Sequence, residues 1–103
     1  MKVYLEKKRS GVYAEGEFDL DTKTLTVLKG SRVSETISYS EKFRGASTIE
    51  KNRIGNVENG VLVKDVIFKS ASTAANFVSG SSTNGLVAWK NSDGTPLREF
   101  VKK

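Results

Sequence analysis

The sequence predicts an α+β domain: an antiparallel sheet of four to five strands with two helices packed on it, in the rough order β-β-β-α-β-α-β. Three observations carry that expectation. The first thirty residues alternate apolar and polar side chains with period two. Turn residues interrupt the alternation at Ser10-Gly11 and again over Asp19–Thr24, as in a strand meander. Farther along, two helix-start signals flank a run of β-branched residues. The 103 residues fit one domain, spanning 1–103, with one core of modest size.

The elements follow in order. In residues 2–8, Val3 and Leu5 alternate with Tyr4 and Glu6. In residues 12–20, Val12, Ala14, Gly16 and Phe18 alternate with Tyr13, Glu15, Glu17 and Asp19. Each pattern gives a strand one buried and one wet face. Residues 24–30 read as a third strand that ends at Gly30. Residues 31–46 spread Val33, Ile37, Tyr39 and Phe43 thinly among polar residues and read as a long loop. Ser47-Thr48-Ile49-Glu50 matches a capping box, with Ile54 and Val57 at helical spacing behind it. Gly60 then suits the helix end, and Gly55 inside the helix costs about 1 kcal/mol relative to Ala. Residues 60–68 read as one fourth strand. Ser70 is placed to cap a second helix that packs through Ala74, Ala75, Phe77 and Val78 and stops at Gly80. Asn84-Gly85 is a tight-turn signal, residues 86–90 read as a short strand, and 96–101 as a last helix or an extended tail.

Composition narrows the chemistry. The chain has no Cys and no His. Disulfides, thiolate metal sites, the common zinc sites and nucleophiles activated by His are all excluded. Carboxylate chemistry with a hard metal, or Lys, Ser or Tyr chemistry, is what remains, and no motif marks any of them. No segment approaches the roughly 20 apolar residues of a spanning helix, and a cytoplasmic location with no membrane partner is expected. The net charge is +5, which favours anionic partners such as nucleic acid and also serves solubility. Basic residues concentrate at 1–9, at 29–53 and in the tail, while 10–28 are acidic.

Several residues are candidates for function. Glu15 and Glu17 share a strand face; a magnesium pair and a solvated, aggregation-resistant face are the two readings, and a magnesium site ordinarily draws ligands from several elements. Lys29-Gly30-Ser31-Arg32 lies where a strand ends, so its turn amides and cations suit an anion, although the arrangement is not a P-loop. Lys69 stands beside the helix start at Ser70, whose free amides suit a phosphate; simple capping is the competing reading. Asn84, Trp89 and Lys90 form the last cluster. Trp89 can stack on a base and Lys90 can contact phosphate, whereas a lone Trp in a small domain is more often core.

The run Phe68-Lys69-Ser70-Ala71-Ser72-Thr73-Ala74-Ala75, followed by Gly80, Asn84-Gly85 and Trp89-Lys90, resembles a bacterial domain family. In that family the run reads phenylalanine, two serines, proline, serine and alanines, then glycine, Asn-Gly and Trp-Lys. Ala71 stands where the family carries proline. Val27–Ser31 resembles the family's strand followed by Lys-Gly-Ser, and Glu58–Leu62 resembles its Glu-Gly-Val-Leu helix end. Together the matches cover about residues 25–90. The family resembled is the uncharacterised domain found C-terminal to GIY-YIG nuclease-like domains and in restriction-associated proteins. It is similar to the RAMA domain, the module associated with restriction enzymes and adenine methylases. The resemblance implies DNA binding, a partner in a nuclease or restriction system, and no catalysis; the GIY-YIG part itself is not in these residues.

The expectation is therefore an accessory, non-catalytic nucleic-acid-binding module without cofactor or metal, DNA being the expected nucleic acid. Its contact residues are Lys29, Ser31, Arg32, Lys69, Ser70, Asn84, Trp89 and Lys90. A protein-interaction or adaptor domain is the alternative, and a magnesium enzyme built on Glu15 and Glu17 ranks behind both.

Overall fold

Alternation in the N-terminal half folds as predicted. In the computed structural model, which describes residues 1–8, 11–34, 46–81 and 83–101 (46–48 by backbone only), β1 (Lys2–Lys7) pairs antiparallel with β2 (Val12–Phe18). β3 (Leu25–Val27) pairs antiparallel with the other edge of β2. Asp19 shapes the turn between them: its Oδ1 accepts the amides of Asp21 at 2.8 Å and Thr22 at 3.2 Å. Those two bonds hold the Asp19 carboxyl below the usual Asp range, the Thr22 amide contributing most.

The strand rich in β-branched residues predicted over 60–68 is two strands. β4 (Val57–Glu58) and β5 (Val61–Leu62) form a two-stranded hairpin, and β6 (Val66–Phe68) pairs antiparallel with β3. The hairpin loop is Asn59-Gly60, with φ of 53° and 77°. Two residues at positive φ match the right-handed strand twist, and Asn-Gly is the pair that adopts that geometry most readily. Gly60 is therefore a hairpin residue, not a helix end. The main sheet has the order β1-β2-β3-β6.

The preceding helix, α1 (Ala46–Arg53), is shorter than its spacing predicts, and Ser47 lies inside it. Gly55, at φ 78°, follows the helix instead of interrupting it. The capping bonds expected of Ser47 and most of the predicted loop, residues 35–45, lie outside the described residues, as do Arg9, Lys102 and Lys103.

α2 (Ala71–Ser79) forms as predicted. Ser70 Oγ accepts the Thr73 amide at 3.1 Å, and Gly80, at φ 74°, closes the helix with its amide on Asn76 O. The face predicted to pack does so: Ala74, Ala75, Phe77 and Val78 are all buried. They meet Val3, Leu5, Val12, Ala14, Phe18, Leu25, Val27 and Phe68 from the inner sheet face. Burying each large member contributes about 1.5–3 kcal/mol. The Phe68 and Phe77 rings lie 4.9 Å apart, tilted by 44°. Arg53 ties α1 to this layer, its guanidinium donating to Ser34 O at 2.8 Å and Phe77 O at 2.7 Å.

Residues 86–90, predicted as a strand, are mostly helical. α3 (Gly85–Ala88) is a single turn with Asn84 at its N-cap. Asn84-Gly85 is thus a helix start, because Asn84 Oδ1 accepts the Leu86 amide at 3.1 Å. Only Lys90 joins the sheet, bridging Tyr4 on one side and Pro96 on the other. A 3-10 turn, Leu97–Glu99, follows. The result is two layers: helices cover one face of the sheet, and among the described residues no element covers the other.

Candidate nucleic-acid interface

The uncovered face is built by strand register. β2 presents Tyr13, Glu15 and Glu17 outward, because Val12, Ala14, Gly16 and Phe18 point into the core. β1 adds Lys2, Tyr4 and Glu6 by the same alternation. Residues directly opposite in an antiparallel pair share a face. Tyr4 sits opposite Glu15, and Glu6 opposite Tyr13. Lys90 sits opposite Tyr4 at the outer edge, held by Tyr4 N–H to Lys90 O at 2.7 Å and Lys90 N–H to Tyr4 O at 2.9 Å. Arg32 sits opposite Tyr13 on the far edge, with bonds of 2.7 and 3.1 Å between the two backbones. The face therefore reads Lys90–Tyr4–Glu15 in one row and Glu6–Tyr13–Arg32 in the next. Tyr13 is 42% exposed, a large ring held at the surface.

Two of the three carboxylates on this face are neutralised locally. Lys2 Nζ lies 3.3 Å from Glu15 Oε2, and the N-terminal ammonium 3.6 Å from Glu17 Oε2. The hydrogen bond and charge of Glu15 raise the Lys2 pKa above its ordinary value. Glu15 and Glu17 thus form a charge-paired strand surface. Among the described residues no group of three or more Asp or Glu side chains gathers as a metal site.

The predicted contact residues divide. Lys29, Arg32 and Lys90 come together around the open face; Lys29 borders a small cleft with Tyr13 and Glu15. Lys69 and Ser70 lie apart, in a groove shared with Phe18, Lys23, Ala71 and Leu86 on the helix side.

Two predicted contacts are corrected. Trp89 is fully buried, its Nε1 donating to Ala71 O at 3.1 Å, so its ring is core and cannot stack on a base. The hydroxyl of buried Ser31 donates to Leu28 O at 2.8 Å and accepts the Glu15 amide at 3.0 Å, leaving it no role toward a ligand. Asn84 stays exposed, with its Oδ1 engaged as the α3 cap. The anion nest expected at residues 29–31 is also filled from within. The Lys29 amide donates to Asp65 Oδ1 at 2.7 Å, the Gly30 amide to Leu62 O at 2.8 Å and the Ser31 amide to Leu28 O at 3.2 Å. One of the three amides, that of Lys29, does meet a carboxylate, and the carboxylate is the chain's own.

Sequence reasoning placed Tyr4 and Tyr13 on the wet strand faces but did not name them among the contact residues. Their signal was legible: each is the aromatic residue at a polar position of its alternating strand.

The fold and this face define a small two-layer α+β domain with an open, aromatic and charged sheet surface. Residues 4–101 match the model of the domain of unknown function DUF4357, and the chain belongs to that family. The match extends beyond residues 25–90 at both ends, so β1 from Tyr4 onward and the Lys90–Val101 segment are parts of the family domain. No curated protein and no solved structure matches the chain.

Proposed function

We propose that the protein is a non-catalytic nucleic-acid-binding module, and that its binding surface is the open sheet face. The observation that carries this reading is the register: Lys90, Tyr4, Tyr13 and Arg32 share one sheet face that no described element covers, with Lys90 opposite Tyr4 and Arg32 opposite Tyr13. Aromatic rings on a sheet give bases a stacking platform, worth about 1–3 kcal/mol per base. Cations at the edges neutralise phosphates. Lys29 extends the basic edge beyond Tyr13. DNA is the expected nucleic acid, and the resemblance of the 68–90 run to restriction-associated modules favours a partner in a nuclease or restriction system.

The test is binding of short labelled single- and double-stranded DNA and RNA at two salt concentrations. Wild-type affinity should fall steeply with salt, each neutralised phosphate adding about 0.7 to the logarithmic slope for a single strand. Arg32→Glu/Lys90→Glu should abolish binding. Tyr4→Val, which keeps strand propensity, should weaken it at every salt concentration. Lys69→Glu should change it little. Absence of binding at low salt by the folded protein would overturn the reading.

One observation favours an adaptor role instead. Ile67 is 66% exposed on β6, the terminal strand of the sheet. An edge strand carrying an exposed apolar residue is the kind of surface that accepts an added strand. A stable self-association or peptide complex that Ile67→Lys removes would support it.

A further inference from the structure

We infer that the open face selects single strands carrying guanine, with Glu6 as the residue that reads the base. The inference rests on the nucleic-acid reading and adds its specificity.

Tyr4, Glu6, Tyr13, Ala88, Lys90 and Asn91 line one groove of about 560 Å³ along the outer edge of β1. That volume lies within the range of small-ligand clefts, roughly 300–1,000 Å³. The groove has a firm outer wall. Asn91 Oδ1 accepts the amides of Asp93 at 3.0 Å and Thr95 at 2.9 Å, and the Asn91 amide donates to Thr95 O at 2.9 Å. Lys90 lies across from Tyr4, and Glu6 follows Tyr4 by two residues on the same face. At about 3.3 Å per residue, Tyr4 and Glu6 stand about 7 Å apart along the strand. A base resting against Tyr4 thus has a cation beside it for its phosphate and a carboxylate at its edge.

Glu6 differs from its neighbours. Glu15 is paired with Lys2 and Glu17 with the N-terminus, whereas Glu6 is exposed and has no ion pair among the described residues. A free carboxylate beside a phosphate site opposes non-specific binding unless it receives donors from the ligand. An ionised carboxylate only accepts, through two parallel oxygens. Guanine alone among the bases has two neighbouring donors on its Watson–Crick edge, the ring N1–H and the exocyclic N2–H. Adenine and cytosine place a ring acceptor beside their amine, and thymine and uracil flank one donor with two carbonyls. These arrangements set lone pairs against the carboxylate. The Watson–Crick edge is free only in an unpaired base, so the selectivity is for single strands.

The test uses thymine-tract DNA oligonucleotides that differ in one central base, measured by fluorescence anisotropy on the whole chain. The guanine oligonucleotide should bind about five- to tenfold tighter than those with adenine, cytosine or thymine, the low end of what a good bidentate contact discriminates. Inosine, which lacks the exocyclic amine, should lose most of that preference. Glu6→Gln presents one acceptor and one donor, a pair that the Watson–Crick edge of every base can meet, so it should abolish the guanine preference, with the melting temperature unchanged. Salt-sensitive binding with equal affinity for all four bases would overturn the selectivity and leave the nucleic-acid reading intact. Absence of binding to every oligonucleotide would overturn both. A guanine preference that survives in Glu6→Gln would remove Glu6 from the role.

Discussion

The indole Nε1 of Trp89 donates to the carbonyl oxygen of Ala71 at 3.1 Å, inside the core, and so ties the segment after α3 to the first turn of α2. Gly85 packs against the same residue: a Cβ there would lie 2.2 Å from both the carbonyl carbon and oxygen of Ala71. The elements of the Phe68–Lys90 run therefore converge on one packing point. Ser70 caps α2, Ala71 receives the indole, Gly85 allows the close approach and Trp89 fills the space. Of that run, Lys69 and Lys90 alone are charged, and both are exposed.

Trp89→Phe removes the donor and part of the buried volume. Leaving a buried polar group without its partner costs about 1–3 kcal/mol, and the lost volume adds to it. Urea unfolding should show that loss. Because the ring is core, the fluorescence of Trp89 in the wild type should resist acrylamide and change little when an oligonucleotide binds.

Gly85→Ala should destabilise at the upper end of the overpacking range, about 3 kcal/mol, since the obstacle is backbone and not a side chain that can rotate away. Thermal melting of this variant beside Ala88→Gly, three residues along the same turn, separates the steric effect from helix propensity. The Ala88 change should cost about 1 kcal/mol or less.

Gly60→Ala tests the hairpin. A Cβ at Gly60 meets only Val33 O at 3.8 Å, an ordinary contact, so the cost is the left-handed backbone itself, about 1–2 kcal/mol. Asn59→Gly, at φ 53°, should be close to neutral. If the two substitutions had equal effects in chemical denaturation, the turn geometry would be wrong.

Asp19 gives a pH dependence of defined sign. Its folded pKa is lowered by the Thr22 and Asp21 amides, so its contribution to stability is present above the ordinary Asp value of about 3.9 and is lost as pH falls through the lower folded value. Asp19→Asn keeps an acceptor for the amides but cannot titrate there. The melting-temperature gap between wild type and variant should therefore shrink or reverse as pH drops from neutral to about 2.

Period-two alternation was enough to place β1, β2 and β3, because each strand has one wet face and the pattern follows directly from burial. Ser70 and Gly80 bounded α2 for the same local reason: cap chemistry is written in one or two residues. The two Asn-Gly pairs were another matter. Both carry the same local signal, yet Asn59-Gly60 turns a hairpin and Asn84-Gly85 starts a helix. Contact with Ala71 decides the second, and no local pattern encodes it. The anion nest at residues 29–31 is similar, since Asp65, thirty-six positions from Lys29, and Leu62 O take two of its amides. The sequence by itself determined the fold class, the inner face of the sheet, α2 and the absence of His and Cys chemistry. Tertiary structure alone decided that Trp89 is interior, that Lys69 and Lys90 lie in separate grooves, and that Tyr4, Tyr13, Arg32 and Lys90 share a face. Alternation tells which side of a strand is wet, but which strands lie side by side, and in what register, depends on contacts between residues far apart in the chain.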